Sequence, residues 1–338
     1  MEIRQAVVTG QHQAELQTLQ LDEPLGPDEL LIETKKSFIS AGTELANYTG
    51  KEPKVFQPGS WCAYPWKPGY ANVGIVKEVG RNVKRAKPGQ RVFTFGPHAS
   101  MFKMNQNRLV IEVDEEIDSA TAAASRMAGV AASAILLSDI PKNAWVAVFG
   151  LGMVGNLAAQ MFQIMGCRVI GIEPSRSRRE MANRCGLPIA IGGSEDEVQE
   201  QIKEITGGQL AHITVDAVGH SSVVMQALKA TANFGQLVLL GSPRVSVQGD
   251  LTALLSDVHL RWITIRGALE WFLPVYSELP RIESLYSKQQ MIFDWIKRGM
   301  LAVTPQISHH MKPEQIKEAY DGLLHEPDLF TGVVLDWE

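Results

Sequence analysis

The sequence predicts a two-domain α/β protein that combines a β-rich, barrel-like unit with a doubly wound parallel sheet. Three observations support this: a length of 338 residues, short strand patterns between Gly and Pro turns in the first third, and strands alternating with helices after Pro141. At about 150 residues per domain, each domain is large enough for its own core. Hydrophobic residues make up 45% and charged residues 20%, which excludes disordered, collagen-like and coiled-coil classes.

The first third predicts strands because short runs of β-branched and apolar residues lie between turn signals such as Pro68-Gly69. Many short strands punctuated in this way are typical of an antiparallel barrel. The predicted strands are Ile3–Val8, Glu29–Thr34, Asn72–Val79 and Arg91–Phe95.

The pattern changes near Asp118, where the Ala-rich segment Ser119–Leu137 has high helix propensity. Beyond Pro141, apolar strands alternate with helices, as in a parallel sheet covered on both faces. The predicted strands there are Ala144–Phe149, Arg168–Ile172, Ala190–Gly192, Ile213–Ala217, Gln236–Leu240, Trp262–Ile265 and Gly332–Asp336. The predicted helices are Asn156–Met165, Arg178–Cys185, Lys288–Arg298 and Pro313–Leu324.

Composition also narrows the function. A net charge of −5 argues against a nucleic-acid-binding protein. The three cysteines form no CxxC pair and predict neither a disulfide framework nor a thiolate metal cage. No uncharged apolar run reaches the roughly 18 residues of a membrane span, and the first residues lack the layout of a signal peptide. We therefore expect a cytoplasmic protein with no nucleic-acid or membrane partner.

The strongest local motif is a glycine turn that follows an apolar strand and opens a helix, which is the context of a dinucleotide-binding Rossmann fold. Gly150 allows the tight turn, Gly152 lets the backbone approach a diphosphate, and Gly155 allows close helix–strand packing. The N–H groups at the helix start then favour phosphate. The predicted cofactor-binding turn comprises Gly150, Leu151, Gly152, Met153, Val154 and Gly155.

Glu173 ends the next strand, 18 residues beyond Gly155, where a carboxylate accepts hydrogen bonds from the adenosine ribose. A 2′-phosphate beside this carboxylate adds repulsion of about 1 kcal/mol at 4 Å in water. The sequence therefore favours NAD. NADP stays the alternative, because Arg176, Arg178 and Arg179 follow Glu173 and an arginine pairs well with phosphate.

Several segments together resemble the medium-chain dehydrogenase/reductase superfamily, whose members are similar to alcohol dehydrogenases. Besides the glycine turn, they are Ser40-Ala41-Gly42-Thr43-Glu44, Pro68-Gly69-Tyr70-Ala71-Asn72-Val73-Gly74, Lys87-Pro88-Gly89-Gln90-Arg91-Val92, Val215-Asp216-Ala217-Val218-Gly219 and Val238-Leu239-Leu240-Gly241-Ser242-Pro243. The resemblance implies a GroES-like β-barrel catalytic domain over 1–128 and 269–338 and a Rossmann domain over 129–268. It also implies a small-molecule substrate and a homodimer or homotetramer.

The chain departs from its zinc-dependent relatives at the metal site. Ala41 replaces a cysteine, Tyr70-Ala71 replaces a His-Glu pair, and Met127 occupies the place of a third ligand. Zinc needs imidazole, thiolate or carboxylate donors, which these residues do not supply. The structural-zinc loop with four closely spaced cysteines also has no counterpart. We expect a zinc-free protein, similar to a zinc-lacking branch that includes bacteriochlorophyllide dehydrogenases.

Without a metal, another group must handle the proton of the reaction. Thr43 matches the proton-relay hydroxyl of the family, and the Tyr70 phenol is a candidate donor or acceptor. Glu44 matches an acidic residue behind the metal site and is a base or a brace for its loop. The alternatives are that Tyr70 only fills space and that Thr43 only caps a loop.

The resemblance implies further site residues. The backbones of Val218, Leu240 and Ala268 approach the nicotinamide in relatives, and Arg178 matches a basic residue that reaches the adenosine ribose. Weaker candidates for substrate contact are Trp66, Trp271 and His98. Aromatic rings suit sugar, cyclitol or other ring substrates, but packing of a loop or subunit explains the tryptophans as well, and His98 also fits a surface histidine.

These observations predict a zinc-independent NAD(P)-dependent oxidoreductase that moves a hydride between nicotinamide and a secondary alcohol or carbonyl carbon, with a sugar, cyclitol or other ring compound as substrate. One alternative is a quinone or enone reductase that reduces a C=C bond. The other is a non-catalytic dinucleotide-binding protein.

Overall fold

The computed structural model describes residues 1–21, 24–277, 279 and 283–338. The described strands, in chain order, are β1 (Glu2–Gly10), β2 (Gln13–Gln20), β3 (Glu29–Phe38), β4 (Asn72–Val79), β5 (Arg91–Thr94), β6 (Met101–Asn105), β7 (Val110–Glu112), β8 (Trp145–Phe149), β9 (Arg168–Ile172), β10 (Ala190–Ile191), β11 (Ala211–Asp216), β12 (Thr231–Leu239), β13 (Thr264–Gly267), β14 (His309–Met311) and β15 (Val333–Asp336). The described α-helices are α1 (Ala41–Tyr48), α2 (Ser119–Leu136), α3 (Met153–Ile164), α4 (Arg176–Arg184), α5 (Glu195–Ile205), α6 (Ser221–Ala230), α7 (Leu251–Leu260), α8 (Leu285–Lys297) and α9 (Ile316–His325).

The chain forms two compact units. The first comprises Met1–Arg126, Leu273–Arg298 and Gln306–Glu338, and the second comprises Met127–Phe272 and Gly299–Pro305. The domain bounds predicted from the sequence, 1–128 with 269–338 and 129–268, stay a prediction. No helix in the described ranges has the length and apolar character that crossing a membrane requires.

The first unit is built on an almost wholly antiparallel sheet. Its strands run in the order β14-β15-β3-β4-β5-β7, with β6 paired to β3, and only β14 and β15 are parallel. Leu30 and Ile32 of β3 point to one face, as alternation along a strand requires, and pack in a core with Val76, Val92 and Phe102. Strands β1 and β2 form a separate antiparallel pair.

The second unit contains a parallel sheet of six described strands in the order β10-β9-β8-β11-β12-β13. Every residue of β8 is buried, as expected for a strand covered on both faces. The order reverses between β8 and β11, and ligands of such sheets bind where the order reverses, outside the carboxyl ends of the strands. The predicted doubly wound sheet is confirmed.

Some elements differ from the sequence predictions. Strand β2 was not predicted because its sequence, QAELQTLQ, is mostly polar and only Ala14 is buried. Helix α1 was not predicted either, because Gly42, Thr43 and Asn47 have low helix propensity. The segment Trp262–Ile265 was predicted as a strand, but β13 begins two residues later, at Thr264, since Trp262 has a positive φ of 53°.

Candidate active site

The glycine turn between β8 and α3 has the close contacts expected of its three glycines. Gly150 has a φ of +91°, and a Cβ added there would lie 2.5 Å from Cγ2 of Val218. A Cβ on Gly155 would lie 1.9 Å from the carbonyl oxygen of Gly150. In contrast, a Cβ on Gly152 would meet no atom within 4 Å, so it would project into open space. Two glycines therefore close the turn, and the third leaves room above it.

The start of α3 has no side-chain cap. Gly152 is the N-cap residue and has no side-chain oxygen, and its carbonyl accepts from the N–H of Asn156 at 2.9 Å. Met153 and Val154 lie in the first turn of α3. Their N–H groups therefore have no acceptor within the helix, because the carbonyl four residues earlier lies outside it. Such N–H groups and the helix dipole form an anion-binding site.

Glu173, which follows β9, is held beside this turn. Its Oε2 accepts from the N–H of Leu151 at 2.9 Å, and its Oε1 accepts from the N–H of Ser175 at 3.0 Å. Glu173 is 5% exposed, and Nη1 of Arg178 lies 3.9 Å from Oε2 of Glu173. The two backbone donors fix the orientation of the carboxylate at the carboxyl end of β9.

The other two arginines after Glu173 have partners of their own. Nε of Arg176 donates to Glu180 at 2.8 Å. Nη1 of Arg179 donates to the carbonyl oxygens of Glu173 at 2.6 Å and Pro174 at 2.7 Å. Each guanidinium is therefore partly engaged by neighbouring groups of its own segment.

Leu240 and Ala268 directly follow β12 and β13, and Val218 lies two residues beyond the end of β11. Their N–H groups are hydrogen-bonded within the loops: Leu240 donates to the carbonyl of Asp216 at 2.9 Å, and Ala268 donates to that of Leu239 at 3.0 Å. The Asp216 carboxylate accepts from Val218 at 3.0 Å. Burial raises the pKa of Asp216, and the N–H donors of Val218 and Gly219 oppose the rise.

All the predicted cofactor residues therefore lie at one edge of the parallel sheet, where the strands have their carboxyl ends. The uncapped start of α3, the open space above Gly152 and the fixed Glu173 carboxylate fit a diphosphate and an adjacent ribose. The residues present thus fit a dinucleotide such as NAD(P).

In the first unit, Tyr70 lies among hydroxyl groups. Its phenol is hydrogen-bonded to Oγ of Ser40 and donates to Oγ1 of Thr43 at 3.3 Å. Ser40 is buried, whereas Tyr70 and Thr43 keep partial exposure. Burial raises the pKa of the Tyr70 phenol, and the nearby charge of Arg126 and the hydroxyls of Ser40 and Thr43 oppose the rise.

The Arg126 guanidinium lies between two aromatic rings, and the sequence analysis did not predict this residue. Its central carbon is 4.6 Å from the centre of the Tyr70 ring and 4.3 Å from that of Phe95. Arg126 is 1% exposed and belongs to α2. A signal was present in the sequence, since Arg126 is the one charged residue within the Ala-rich stretch 119–136.

Glu44 is fully buried in α1 and binds three donors. Its Oε1 accepts from the N–H of Ser40 at 2.8 Å, and its Oε2 accepts from the Tyr320 hydroxyl at 2.7 Å. Nε2 of His98 lies 3.0 Å from the same Oε2. Burial, together with the Glu44 charge, raises the pKa of Tyr320. These bonds favour a brace that positions Ser40 and the start of α1.

The other ring nitrogen of His98 contacts Ser37. Trp337 donates to Oγ of Ser37 at 2.9 Å, and Nδ1 of His98 lies 2.8 Å from the same oxygen. Since a carboxylate only accepts, Nε2 of His98 donates to Glu44. Both ring nitrogens therefore have hydrogen-bond partners in the core.

Two of the weaker substrate candidates lie in the core of the first unit. His98 is 0% exposed, so the interpretation as a surface histidine is wrong, and both ring nitrogens have partners, which leaves none for a substrate in this arrangement. Trp66 is 8% exposed and packs with Val8 and Cys62 in a hydrophobic cluster. These positions argue against direct substrate contact, because both ring nitrogens of His98 have partners and Trp66 is largely covered by its cluster. Trp271 of the second unit is 55% exposed.

The residues that the family resemblance assigns to the zinc-ligand positions are Ala41, Tyr70, Ala71 and Met127, of which Ala71 and Met127 are buried. Within the described part of the chain, no group of three or more His, Cys, Asp or Glu side chains is arranged to hold a metal ion. The residues at this place therefore do not fit a catalytic zinc, because a methyl group, a thioether and a phenol are poor zinc ligands.

The fold and the dinucleotide site define an NAD(P)-dependent oxidoreductase. Two family descriptions match the chain: an alcohol dehydrogenase GroES-like domain over residues 26–139 and a zinc-binding dehydrogenase over residues 153–280. The chain belongs to the medium-chain dehydrogenase/reductase superfamily, which confirms the predicted fold of a GroES-like domain and a Rossmann domain.

Curated relatives include dehydrogenases of two kinds. L-threonine 3-dehydrogenase of Caldanaerobacter subterraneus subsp. tengcongensis is 28% identical over 298 residues, which cover 78% of this chain and 82% of that protein. The 2-desacetyl-2-hydroxyethyl bacteriochlorophyllide A dehydrogenase of Cereibacter sphaeroides is 26% identical over 347 residues, which cover 98% of this chain and 97% of that protein.

Solved structures share the fold over nearly the whole chain. An Escherichia coli oxidoreductase of unknown specificity has a TM-score of 0.85 at 16% identity and covers 99% of both chains. An Escherichia coli alcohol dehydrogenase complexed with NADH has a TM-score of 0.81 at 17% identity and covers 99% of both chains. A Sinorhizobium meliloti protein described as a zinc-binding dehydrogenase and bound to NADP has a TM-score of 0.75 at 17% identity, with 99% of both chains covered.

Proposed function

We propose that this protein is a zinc-independent, NAD-dependent oxidoreductase that transfers a hydride between nicotinamide and a secondary alcohol or carbonyl carbon. The observation that carries the proposal is Tyr70, a partly exposed residue whose phenol is hydrogen-bonded to the hydroxyls of Ser40 and Thr43, at a position where the family resemblance implies a metal ligand in zinc-dependent relatives. The names of both curated relatives describe dehydrogenases of hydroxyl-bearing compounds. Sugars, cyclitols and other ring compounds are the substrates to test first.

Tyr70 supplies the proton in this proposal. The bound dinucleotide supplies or accepts the hydride at its nicotinamide ring. During reduction, the phenol donates its proton to the carbonyl oxygen as that oxygen becomes a hydroxyl. Because burial raises the pKa of Tyr70, the phenol is protonated at neutral pH, which suits reduction. Oxidation requires the phenolate as acceptor, so its rate should increase as pH rises toward the pKa of Tyr70.

Thr43 and Glu44 have different roles in the same proposal. The Thr43 hydroxyl accepts from Tyr70 and orients the phenolic proton. Glu44 acts as a positioning residue, because its carboxylate binds the N–H of Ser40 and two buried side chains and does not contact the phenol. The lack of suitable donors at Ala41, Ala71 and Met127 supports zinc independence. Elemental analysis of protein purified without added zinc tests it, and one equivalent of zinc would overturn it.

Glu173 supports NAD over NADP. Its carboxylate is held by two backbone N–H groups at the end of β9, where it would accept from ribose hydroxyls and repel a 2′-phosphate. In the proposed complex, the turn Gly150–Gly155 binds the diphosphate, Arg178 lies near the adenosine ribose, and the backbones of Val218, Leu240 and Ala268 approach the nicotinamide.

A kinetic experiment tests the role of Tyr70. NADH oxidation is measured with cyclohexanone, dihydroxyacetone and D-fructose as probes, for the wild-type protein and for Tyr70→Phe. Loss of a general acid costs about 10²–10⁴-fold in rate, so kcat should fall at least 100-fold while NADH affinity is unchanged. Tyr286→Phe is the matched control, because the Tyr286 hydroxyl accepts a hydrogen bond from the exposed Gln290 and has no contact with Tyr70 among the described residues. An unchanged kcat in Tyr70→Phe would exclude Tyr70 as the proton donor.

The same variants separate the alternatives. A quinone or enone reductase needs less help from an acid at the oxygen, so it would reduce cyclohexenone and keep that activity in Tyr70→Phe. A non-catalytic protein would bind NADH, as measured by fluorescence, without oxidising it with any of these probes.

We also propose a homo-oligomer, a dimer or a tetramer. Exposed apolar side chains of α7, of the residues that follow it and of the edge strand β13 support it, among them Leu251, Leu255, Leu260, Trp262 and Ile265. A single monomeric species in sedimentation velocity would contradict this proposal.

A further inference from the structure

Arg126 is a buried cation whose guanidinium lies against the rings of Tyr70 and Phe95. A charged side chain is almost never fully buried unless other groups compensate for lost hydration. Arg126 is 1% exposed, and its guanidinium contacts the faces of Tyr70 and Phe95 at 4.6 Å and 4.3 Å from the ring centres. Both distances are within the range of a cation–π interaction, which gains strength where water is excluded.

We propose that Arg126 is a positioning residue for proton transfer: it holds the Tyr70 ring in place and stabilises the phenolate that forms when Tyr70 gives its proton to the substrate oxygen. This inference rests on the proposed function of Tyr70. In the step concerned, the phenolic O–H bond breaks and an O–H bond forms on the substrate, whose carbon receives the hydride. The phenolate that remains regains a proton from water.

The charges around the Tyr70 phenol favour this role. Arg126 approaches from α2 and is the positive charge beside the ring, and the hydroxyls of Ser40 and Thr43 are placed to donate to a phenolate oxygen after rotation. The carboxylate of Glu44, in α1, opposes them and raises the pKa of Tyr70. Without Arg126, burial and Glu44 would both act against the phenolate, and no nearby charge among these groups would compensate.

A titration of Tyr70 tests the coupling without any substrate. The six tyrosines are replaced biosynthetically with 3-fluorotyrosine, which lowers every phenol pKa, and the ¹⁹F resonances are followed against pH. Tyr70→Phe removes one resonance and so assigns it. An opposite charge within about 4–6 Å shifts a pKa by roughly 1–3 units, so Arg126→Met should move the Tyr70 midpoint upward by about that amount.

Two further variants control this titration. Arg126→Lys keeps the charge but not the planar group between the rings, so the upward shift of the Tyr70 midpoint should be smaller. This variant also covers the case in which Arg126→Met does not fold. Arg85 lies over the Tyr276 ring at 3.6 Å, and Arg85→Met should move the Tyr276 midpoint and leave that of Tyr70 unchanged. An unchanged Tyr70 midpoint in both Arg126 variants overturns the proposal.

Kinetics then separate this inference from the proposed function. With NADH and cyclohexanone, Arg126→Met should lower kcat at least tenfold. In a protein that already carries Tyr70→Phe, adding Arg126→Met should cause no further loss of kcat. If the two losses multiply instead, Arg126 acts independently of Tyr70 and the inference fails. If Tyr70→Phe alone keeps full activity, the proposed function of Tyr70 fails, whatever the titration shows.

Discussion

The open position above Gly152 allows cofactor binding to be separated from folding. Gly152 has a φ of −59° and a ψ of 174°, which alanine adopts without strain, and an added Cβ meets no atom within 4 Å. The variant Gly152→Ala adds one methyl group at an N-cap position, where alanine is less favourable than glycine. We therefore expect its free energy of unfolding to fall by no more than about 1 kcal/mol.

The same methyl group occupies the space that a diphosphate needs for close approach. A hydrogen bond to a charged group contributes about 1.5–3 kcal/mol. Loss of one such bond weakens binding by roughly 10- to 150-fold, since about 1.4 kcal/mol corresponds to a factor of ten. NADH titration followed by fluorescence measures the dissociation constant, and urea unfolding of the same samples measures stability.

Gly155→Ala is the matched comparison in the same turn. Its Cβ would lie 1.9 Å from the Gly150 carbonyl oxygen, a backbone atom that moves only if the turn opens. Overpacking of this kind costs about 1–3 kcal/mol or more, so Gly155→Ala should lose both stability and NADH binding. If Gly152→Ala binds NADH within twofold of the wild-type protein, the diphosphate does not lie against this turn.

Two further predictions concern Glu173 and His98. Glu173→Gln keeps an acceptor for a backbone N–H but removes the negative charge. NADH should therefore bind about tenfold more weakly, while NADPH binding is unchanged or stronger. Fluorescence titrations measure both affinities, and an unchanged ratio between them would contradict this prediction. His98→Ala leaves Glu44 and Ser37 each short of one hydrogen bond in the core, so urea denaturation should show a loss of about 2–3 kcal/mol in unfolding free energy. The exposed His310 provides the control, since His310→Ala should change stability by less than about 0.5 kcal/mol, and equal losses in the two variants would argue against a structural role for His98.

Much of the second unit could be predicted because its signals are local. The apolar run of β8, the glycine turn and the start of α3 are consecutive in the chain, and β9 was predicted at the residues it occupies. Helix α5 was not predicted, although Ser194 and Glu197 form a capping box at its start. That signal was present in the sequence.

The hydrogen-bond network of the first unit could not be predicted in the same way. Glu44 is bound by His98 and Tyr320, which lie 54 and 276 residues away in the chain. No spacing rule connects positions that are so distant. The family resemblance indicated Thr43, Glu44 and Tyr70 as a group, but it did not indicate that Arg126 lies against the Tyr70 ring.

Periodicity, propensity and turn chemistry were therefore sufficient for the class of fold and for the dinucleotide-binding turn, because each depends on residues that are neighbours in the chain. The environment of the Tyr70 phenol depends on Ser40 and α1 on one side and on Arg126 of α2 on the other, and burial changes the cost of every charge there. For this reason the hydrogen bonds of His98, the buried cation beside Tyr70 and the direction of the Tyr70 pKa shift required the packed structure.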